Sequence, residues 1–277
     1  MLSRRFTHMR LRALVPTGHG INCEMETRRA LELAGFARVD LAHLNHLARG
    51  EVDPADYQLI VFPGGFLDGD DLGAAQACAN RIRHSRIDGE RLIDRVIGFV
   101  EGGGLVLGIC NGFQLLVKLG MLPATHGDYT LRDLTVTGND QGRFEDRWVH
   151  LDVDPASPCI FTRDIDFLYL PVRHGEGKVI GREPDLARCL VESHQVPVRY
   201  ASREDRKPTM EYPANPNGSE HAIAGVCDPT GRVFGLMPHP EGFLHRVNHP
   251  RWTREDLPEE GGGLPIFKNA AAFLKQA

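Results

Sequence analysis

Three nearly unbroken apolar runs, LRALVP (11–16), QLIVF (58–62) and LVLGI (105–109), are each followed by residues that suit a turn and a helix. A strand that is apolar on both faces must be covered on both, and alternation with helices is how a parallel sheet achieves this. After the first run, Thr27, Ala30, Leu31 and Ala34 recur at helical spacing, and Gly35 stands where a C-cap belongs. A short strand is expected at 38–42. Beyond the second run and its PGG turn, Leu92, Ile93, Val96, Ile97 and Val100 form one apolar face that stops at Gly102-Gly103-Gly104. The first 120 residues therefore predict a doubly wound α/β sheet with helices on both faces.

Past Pro123 the pattern changes to short alternating strands, among them RWVHLDV (147–153) and DFLYLPV (166–172), which predict added peripheral antiparallel strands. HAIAGV (221–226) and RVFGLMP (232–238) read as closing strands, and LPIFKNAAAFLKQA as a final helix. The polar segment 202–220, rich in Pro and Asn, reads as a long loop of the kind that is functional or mobile. No repeat or linker divides the chain, so residues 1–277 are expected to form one domain with an N-terminal extension over 1–10. With 42% hydrophobic residues among 277, the core can be sizeable.

Composition excludes several functions. The formal charge of −5 and the lack of a basic cluster interleaved with aromatics argue against a nucleic-acid surface. Arg4 and Arg5 open like an export signal, but Arg10 and Arg12 interrupt what should be an apolar stretch, and no run of about 18 apolar residues follows. The expectation is a cytoplasmic protein, neither secreted nor membrane-spanning. Cysteines 23, 78, 110, 159, 189 and 227 are widely spaced without a C-x-x-C pair, which suits reduced thiols and no metal.

Ligands of open parallel sheets bind at the carboxyl ends of the strands. Three strand ends here carry chemistry: PGGF (63–66), GICNG (108–112) and MPHPEG (237–242). Gly108-Ile109-Cys110-Asn111-Gly112 has the form of a nucleophile elbow, in which only very small residues fit two positions either side of the nucleophile. A cysteine there also meets the N-terminal end of a helix, which favours the thiolate. A buried, inert cysteine at the end of an apolar strand fits the same residues. His239-Pro240-Glu241 can place imidazole and carboxylate on one face of an extended segment, as base and orienting partner, although a surface turn closed by Pro and Gly has the same letters. PGG offers unobstructed N–H groups, and with that of Asn111 these could form an oxyanion hole. His174, between a strand and two glycines, suits either a ligand-facing loop or a structural position. His245 and His249 lack an HExxH context for zinc.

Together the cysteine elbow, distant HPE and PGG turn resemble the class I (triad) glutamine amidotransferases, and the likeness extends through INCE (21–24), FPGGFLDGDDLGA (62–74), LGICNGFQLL (107–116), PVRHGEGKV (171–179), NPNGS (215–219) and IAGVCDPTGRVFGLMPHPEG (223–242). GICNGFQ with HGEG is similar to the purine-biosynthesis branch of that family. The resemblance implies a flavodoxin-like, mostly parallel sheet, with Cys110 as nucleophile, His239 as general base and acid, and Glu241 as its partner. It further implies Gly65 and Asn111 as oxyanion donors, and Gln114, His174, Gly175 and Glu176 as contacts of the substrate glutamine. No cofactor is implied for this chain itself. The implied partners are a synthetase subunit that uses ATP and Mg²⁺ and a small third subunit. Gly242 stands where many members have arginine, and the 202–214 segment is longer than in compact forms.

Overall fold

The computed structural model describes residues 10–70 and 72–276. Of the expected N-terminal extension, only Arg10 lies within them. The first half alternates as expected: β1 (Arg12–Thr17), α1 (Glu24–Ala34), β2 (Arg38–His43), α2 (Leu44–Ala48), β3 (Leu59–Phe62), α3 (Gln76–His84), a tiny hairpin β4 (Arg86–Ile87) and β5 (Glu90–Arg91), α4 (Leu92–Glu101), β6 (Leu105–Ile109) and α5 (Asn111–Leu119). Then come β7 (Leu134–Gly138), β8 (Glu145–Val153), β9 (Phe167–His174), β10 (Glu176–Gly181), α6 (Leu186–Glu192), β11 (Val198–Ala201), β12 (Ile223–Cys227), β13 (Val233–Leu236) and α7 (Leu264–Gln276).

Among the described residues nine strands form one sheet in the order β2-β1-β3-β6-β13-β12-β11-β8-β9. The first five run parallel and the remaining four add antiparallel. Strands β3 and β6 are buried at every residue, which is why they read as continuous apolar runs. Helix α1 buries Thr27, Ala30, Leu31 and Ala34, the four residues its spacing singled out, and ends on Gly35 at φ 95°. On α4 the face differs by one residue. Phe99 is buried and Ile97 only half-buried, because Gly104 leaves the space that the Phe99 ring enters. Helix α3 escapes the sequence reading, since polar residues such as Gln76, Asn80 and Arg81 dilute the short apolar face of Cys78, Ala79 and Ile82.

The 202–220 segment is tied down at both ends. Ser202 N–H donates to the Lys207 carbonyl (2.9 Å) to close a turn, and Asn215, Asn217 and Ser219 are buried farther on. Asn217 donates to Tyr200 Oη (3.0 Å), and Ser219 Oγ bridges the Gly177 carbonyl and the Val179 N–H. A loop with buried polar groups persists only if they are paired in this way. NPNGS therefore serves as a rivet beneath β10. Among the described residues no helix is long and apolar enough to cross a membrane.

Candidate active site

Four neighbouring parallel strands, β1, β3, β6 and β13, end on one side of the sheet, and the turn after each delivers one component of a cavity of about 200 Å³. Gly65, Cys110 and His239 all line it, together with Cys23 and Arg173. This is the crevice in which open sheets place their ligands.

Cys110 occupies the turn between β6 and α5 at φ 52° and ψ −105°. A non-glycine residue in such a region costs about 1–3 kcal/mol and persists only where its surroundings over-determine it. The surroundings here do so. The Cys110 N–H donates to Leu236 O (2.8 Å) on β13, and its carbonyl accepts from Gln114 N–H (3.0 Å). A Cβ on Gly108 would sit 2.6 Å from the Gly112 carbonyl oxygen, and one on Gly112 would sit 2.0 Å from that of Phe62. The two glycines thus let strand, turn and helix close on one another. The thiol itself is buried and lies 3.6 Å from the Arg173 carbonyl oxygen.

His239 follows β13 in an extended conformation, and its N–H donates to Pro171 O (2.8 Å) on β9. Its Nδ1 is 2.5 Å from Glu241 Oε1, and both side chains are at most 3% exposed. Burial opposes the imidazolium, but the Glu241 carboxylate and the Cys110 sulfur outweigh it and hold the imidazole well above its ordinary pKa. Nε2 has no hydrogen-bond partner among the described residues. Gly64 makes room for this ring, since a Cβ there would lie 2.6 Å from His239 Cε1.

Asn111 opens α5, where the backbone N–H has no partner within the helix. Its side chain accepts from Leu67 N–H (3.0 Å) and donates to Gln114 Oε1 (3.0 Å). Gln114 in turn donates to the Glu176 carbonyl (2.6 Å), so its amide is taken up by the HGEG segment. Neither Gln114 nor His174, Gly175 and Glu176 lines the cavity beside Cys110. His174 is buried with Nδ1 against Asn139 Oδ1 (3.1 Å), and burial together with the His239 charge lowers its pKa to about 3. Asn139 also accepts from Gly177 N–H (3.0 Å) and donates to the His174 carbonyl (2.8 Å), which fixes the whole turn. Glu176 Oε2 accepts from Ala74 N–H (3.2 Å).

Cys23 is the residue that motif reading left without a role. It ends the loop after β1 and caps α1, with Sγ 4.0 Å from His239 Nδ1. Burial pushes its thiol pKa up, against the pull of the hydrogen bond to His239. No local pattern marks it: only the pairing of β1 with β3 brings the end of the first parallel strand to the same crevice as the others. Cys23, His239 and Glu241 bring donor atoms within 4.8 Å of one another, a set a thiophilic divalent ion could take. Such a set closes only in space and leaves no sequence signature.

The family model for the CobB/CobQ-like glutamine amidotransferase domain matches residues 10–274. The chain is 45% identical to the phosphoribosylformylglycinamidine synthase subunit PurQ of Dehalococcoides mccartyi over 96% of this chain and 99% of that one. With the PurQ subunit of Methanococcus maripaludis it shares 40% identity, over 96% and 98% of the two chains. Among solved structures, PurLQS from Thermotoga maritima superimposes with a TM-score of 0.69 at 28% identity, covering 96% of this chain and 100% of that one. A glutamine amidotransferase from the same organism, 16% identical with a TM-score of 0.53 and covering 98% and 100%, shares the fold.

Proposed function

The chain belongs to the CobB/CobQ-like glutamine amidotransferase family, and on that premise we propose that it is the glutaminase subunit of a phosphoribosylformylglycinamidine synthase. Identities of 40–45% over almost the full length of the relatives so named support the assignment. One observation carries the chemistry: His239 is gripped at Nδ1 by buried Glu241, and its unpartnered Nε2 shares a cavity with Cys110 at a helix N-terminus.

The Cys110 thiolate attacks the side-chain carbonyl carbon of glutamine, and the N–H groups of Gly65 and Asn111 receive the developing oxyanion. His239, cationic beside Glu241, gives its proton to the departing nitrogen as ammonia leaves. A γ-glutamyl thioester remains. His239, now neutral, takes a proton from water, the resulting hydroxide attacks the thioester, and glutamate is released with the thiolate restored. Gln114, His174, Gly175 and Glu176 act in this reading on the α-amino and α-carboxylate groups, Gln114 by holding the Glu176 backbone in place.

Free ammonia in bulk water at neutral pH is mostly ammonium and no longer a nucleophile. It passes instead to a synthetase subunit that uses ATP and Mg²⁺ to convert formylglycinamide ribonucleotide to the amidine, in a complex with a small third subunit. The test is to mix the chain with a matching synthetase and compare wild type with Cys110→Ala, using glutamine or ammonium as nitrogen donor. The variant is expected to lose synthesis from glutamine, by about 10⁴-fold or more, and to keep synthesis from ammonium. Retained glutamine-dependent synthesis contradicts the nucleophile assignment, and loss of both marks a folding or assembly role.

A further inference from the structure

A second cavity, about 550 Å³, lies on the outer face of the β8–β9 edge, away from Cys110. Alternate residues of an antiparallel edge that face water are ordinarily polar. Here Trp148, His150, Phe167 and Tyr169 occupy those positions. His150 stacks on Tyr169 with ring centroids 4.4 Å apart and planes 23° from parallel, and on Phe167 at 5.5 Å and 24°. Trp148 lies 5.1 Å from Tyr169. The result is a row of rings, stacked along Phe167, His150 and Tyr169 and tilted by 38° at Trp148, that forms the floor of a concave site.

The walls come from two segments. One is the 202–207 turn with Arg203, Arg206 and, between them, Glu204, whose carboxylate accepts from Ser202 Oγ (2.9 Å), and the other is the stretch after β13 with His249 and Arg251. Arg147 and Arg251 are each offset by a carboxylate, from Glu145 and Glu255. Arg203 and Arg206 are not: among the described residues neither has a carboxylate within 4.0 Å. Arg206 lies 4.8 Å above the Phe167 ring. The charges reach the floor, because burial and the nearby Arg203 and Arg206 together push the His150 imidazole below its ordinary pKa. Unpaired guanidinium groups over aromatic rings suit a ligand that carries a planar ring and a phosphate, the ring to stack and the phosphate to take the Arg fork. The volume is in the range of small-ligand sites.

We propose that this cavity is a binding site for a nucleoside phosphate, with the base on the Trp148–Tyr169 floor and the phosphate between Arg203 and Arg206. It is independent of the glutaminase site, although β9 connects the two: the strand runs from Phe167 and Tyr169 to Pro171 and Arg173, whose carbonyls face His239 and Cys110.

Calorimetric titration of the full chain with AMP, adenosine, ribose 5-phosphate and a short poly-glutamate peptide tests the proposal. AMP is expected to bind at least tenfold more tightly than adenosine or ribose 5-phosphate. The double variant Arg203→Gln/Arg206→Gln should weaken AMP at least tenfold and leave glutaminase activity unchanged. Tyr169→Leu should weaken AMP more than ribose 5-phosphate. Arg206→Gln alone, expected to weaken AMP several-fold, provides a second charge-loss variant should the double change disturb the 202–207 turn. Equal affinity for AMP and ribose 5-phosphate overturns the proposal in favour of an anion site only. No saturable binding of AMP, or AMP binding indifferent to both charge-loss variants, overturns it as well. Poly-glutamate binding as tight as AMP assigns the surface to an acidic partner segment instead.

Discussion

Two strand-to-helix turns of this molecule each present a cysteine to the same imidazole, and they are built on opposite principles. The turn after β1 places Cys23 at φ −110° and ψ 15°, relaxed values, with Ile21 two residues before it and Met25 two after. The turn after β6 places Cys110 at φ 52°, with Gly108 and Gly112 in those same two positions. Both cysteines cap a helix and both line the cavity with His239. A helix N-terminus and a nearby histidine are therefore insufficient to distinguish a nucleophile. The distinguishing feature is the strained backbone and the glycines that permit it, which turn the Cys110 thiol toward the cavity beside the first N–H of α5.

The strongest way to break this contrast is to fill one glycine. In Gly112→Ala the new methyl meets the Phe62 carbonyl, so we expect a loss of about 3 kcal/mol or more in denaturant unfolding, with glutaminase activity abolished. The equivalent change in the other turn, Met25→Ala, removes a side chain that is 58% exposed. It should alter stability by no more than about 0.5 kcal/mol. Similar losses from both substitutions would dissolve the distinction.

Glu241→Gln comes next, and it acts on the imidazole that both thiols face. Removing the carboxylate removes the attraction that holds the His239 pKa up, so the imidazolium loses its proton at lower pH. The pH–rate profile of glutaminase activity should show its alkaline limb moved toward acid, with kcat reduced by about a hundredfold. An unmoved limb would separate Glu241 from the proton transfer.

Cys23→Ser should change kcat/KM by less than about tenfold, because the side chain touches the imidazole without supplying a bond to the substrate. A loss as large as that of Cys110→Ala would make the relaxed turn the reactive one.

The effect that is smallest at neutral pH, and grows only in acid, concerns His174, beneath the HGEG turn. Its folded pKa near 3 lies below the ordinary 6.5, so between those values the unfolded chain takes up a proton that the folded chain refuses. Stability is then fully present above about pH 6.5 and falls as pH drops toward 3, by about 1.4 kcal/mol per pH unit from this group. His174→Asn should flatten the dependence, as read from urea midpoints across pH 4–7.

How much of this was legible in the sequence follows from what each part depends on. Strands β3 and β6 are buried on both faces and announce themselves as LIVF and LVLGI. The elbow is legible because its glycines are a steric necessity, and HPE only in part: His239 is extended, but Pro240–Gly242 forms a 3₁₀ turn, not an extended segment, and Glu241 meets the imidazole from that turn. Cys23 was not legible, since its importance comes from the parallel pairing of β1 with β3, which no local pattern encodes. Gln114 shows a different gap: the family resemblance implies a substrate contact, and only the fold adds that its amide is bonded to the Glu176 backbone. The ring floor over 148–169 was hidden for a third reason, because alternation identified the strands without saying which face is left open.

The central claim, that the strained turn rather than the relaxed one carries the nucleophile, is tested most directly by covalent trapping. The chain, in complex with its synthetase, is treated with a diazo-ketone analogue of glutamine, and the labelled peptide is located by mass spectrometry. One label per chain is expected, on the peptide that contains Cys110, with Cys23 unmodified and labelling lost in Cys110→Ala. A label on Cys23 in the wild-type chain would contradict it.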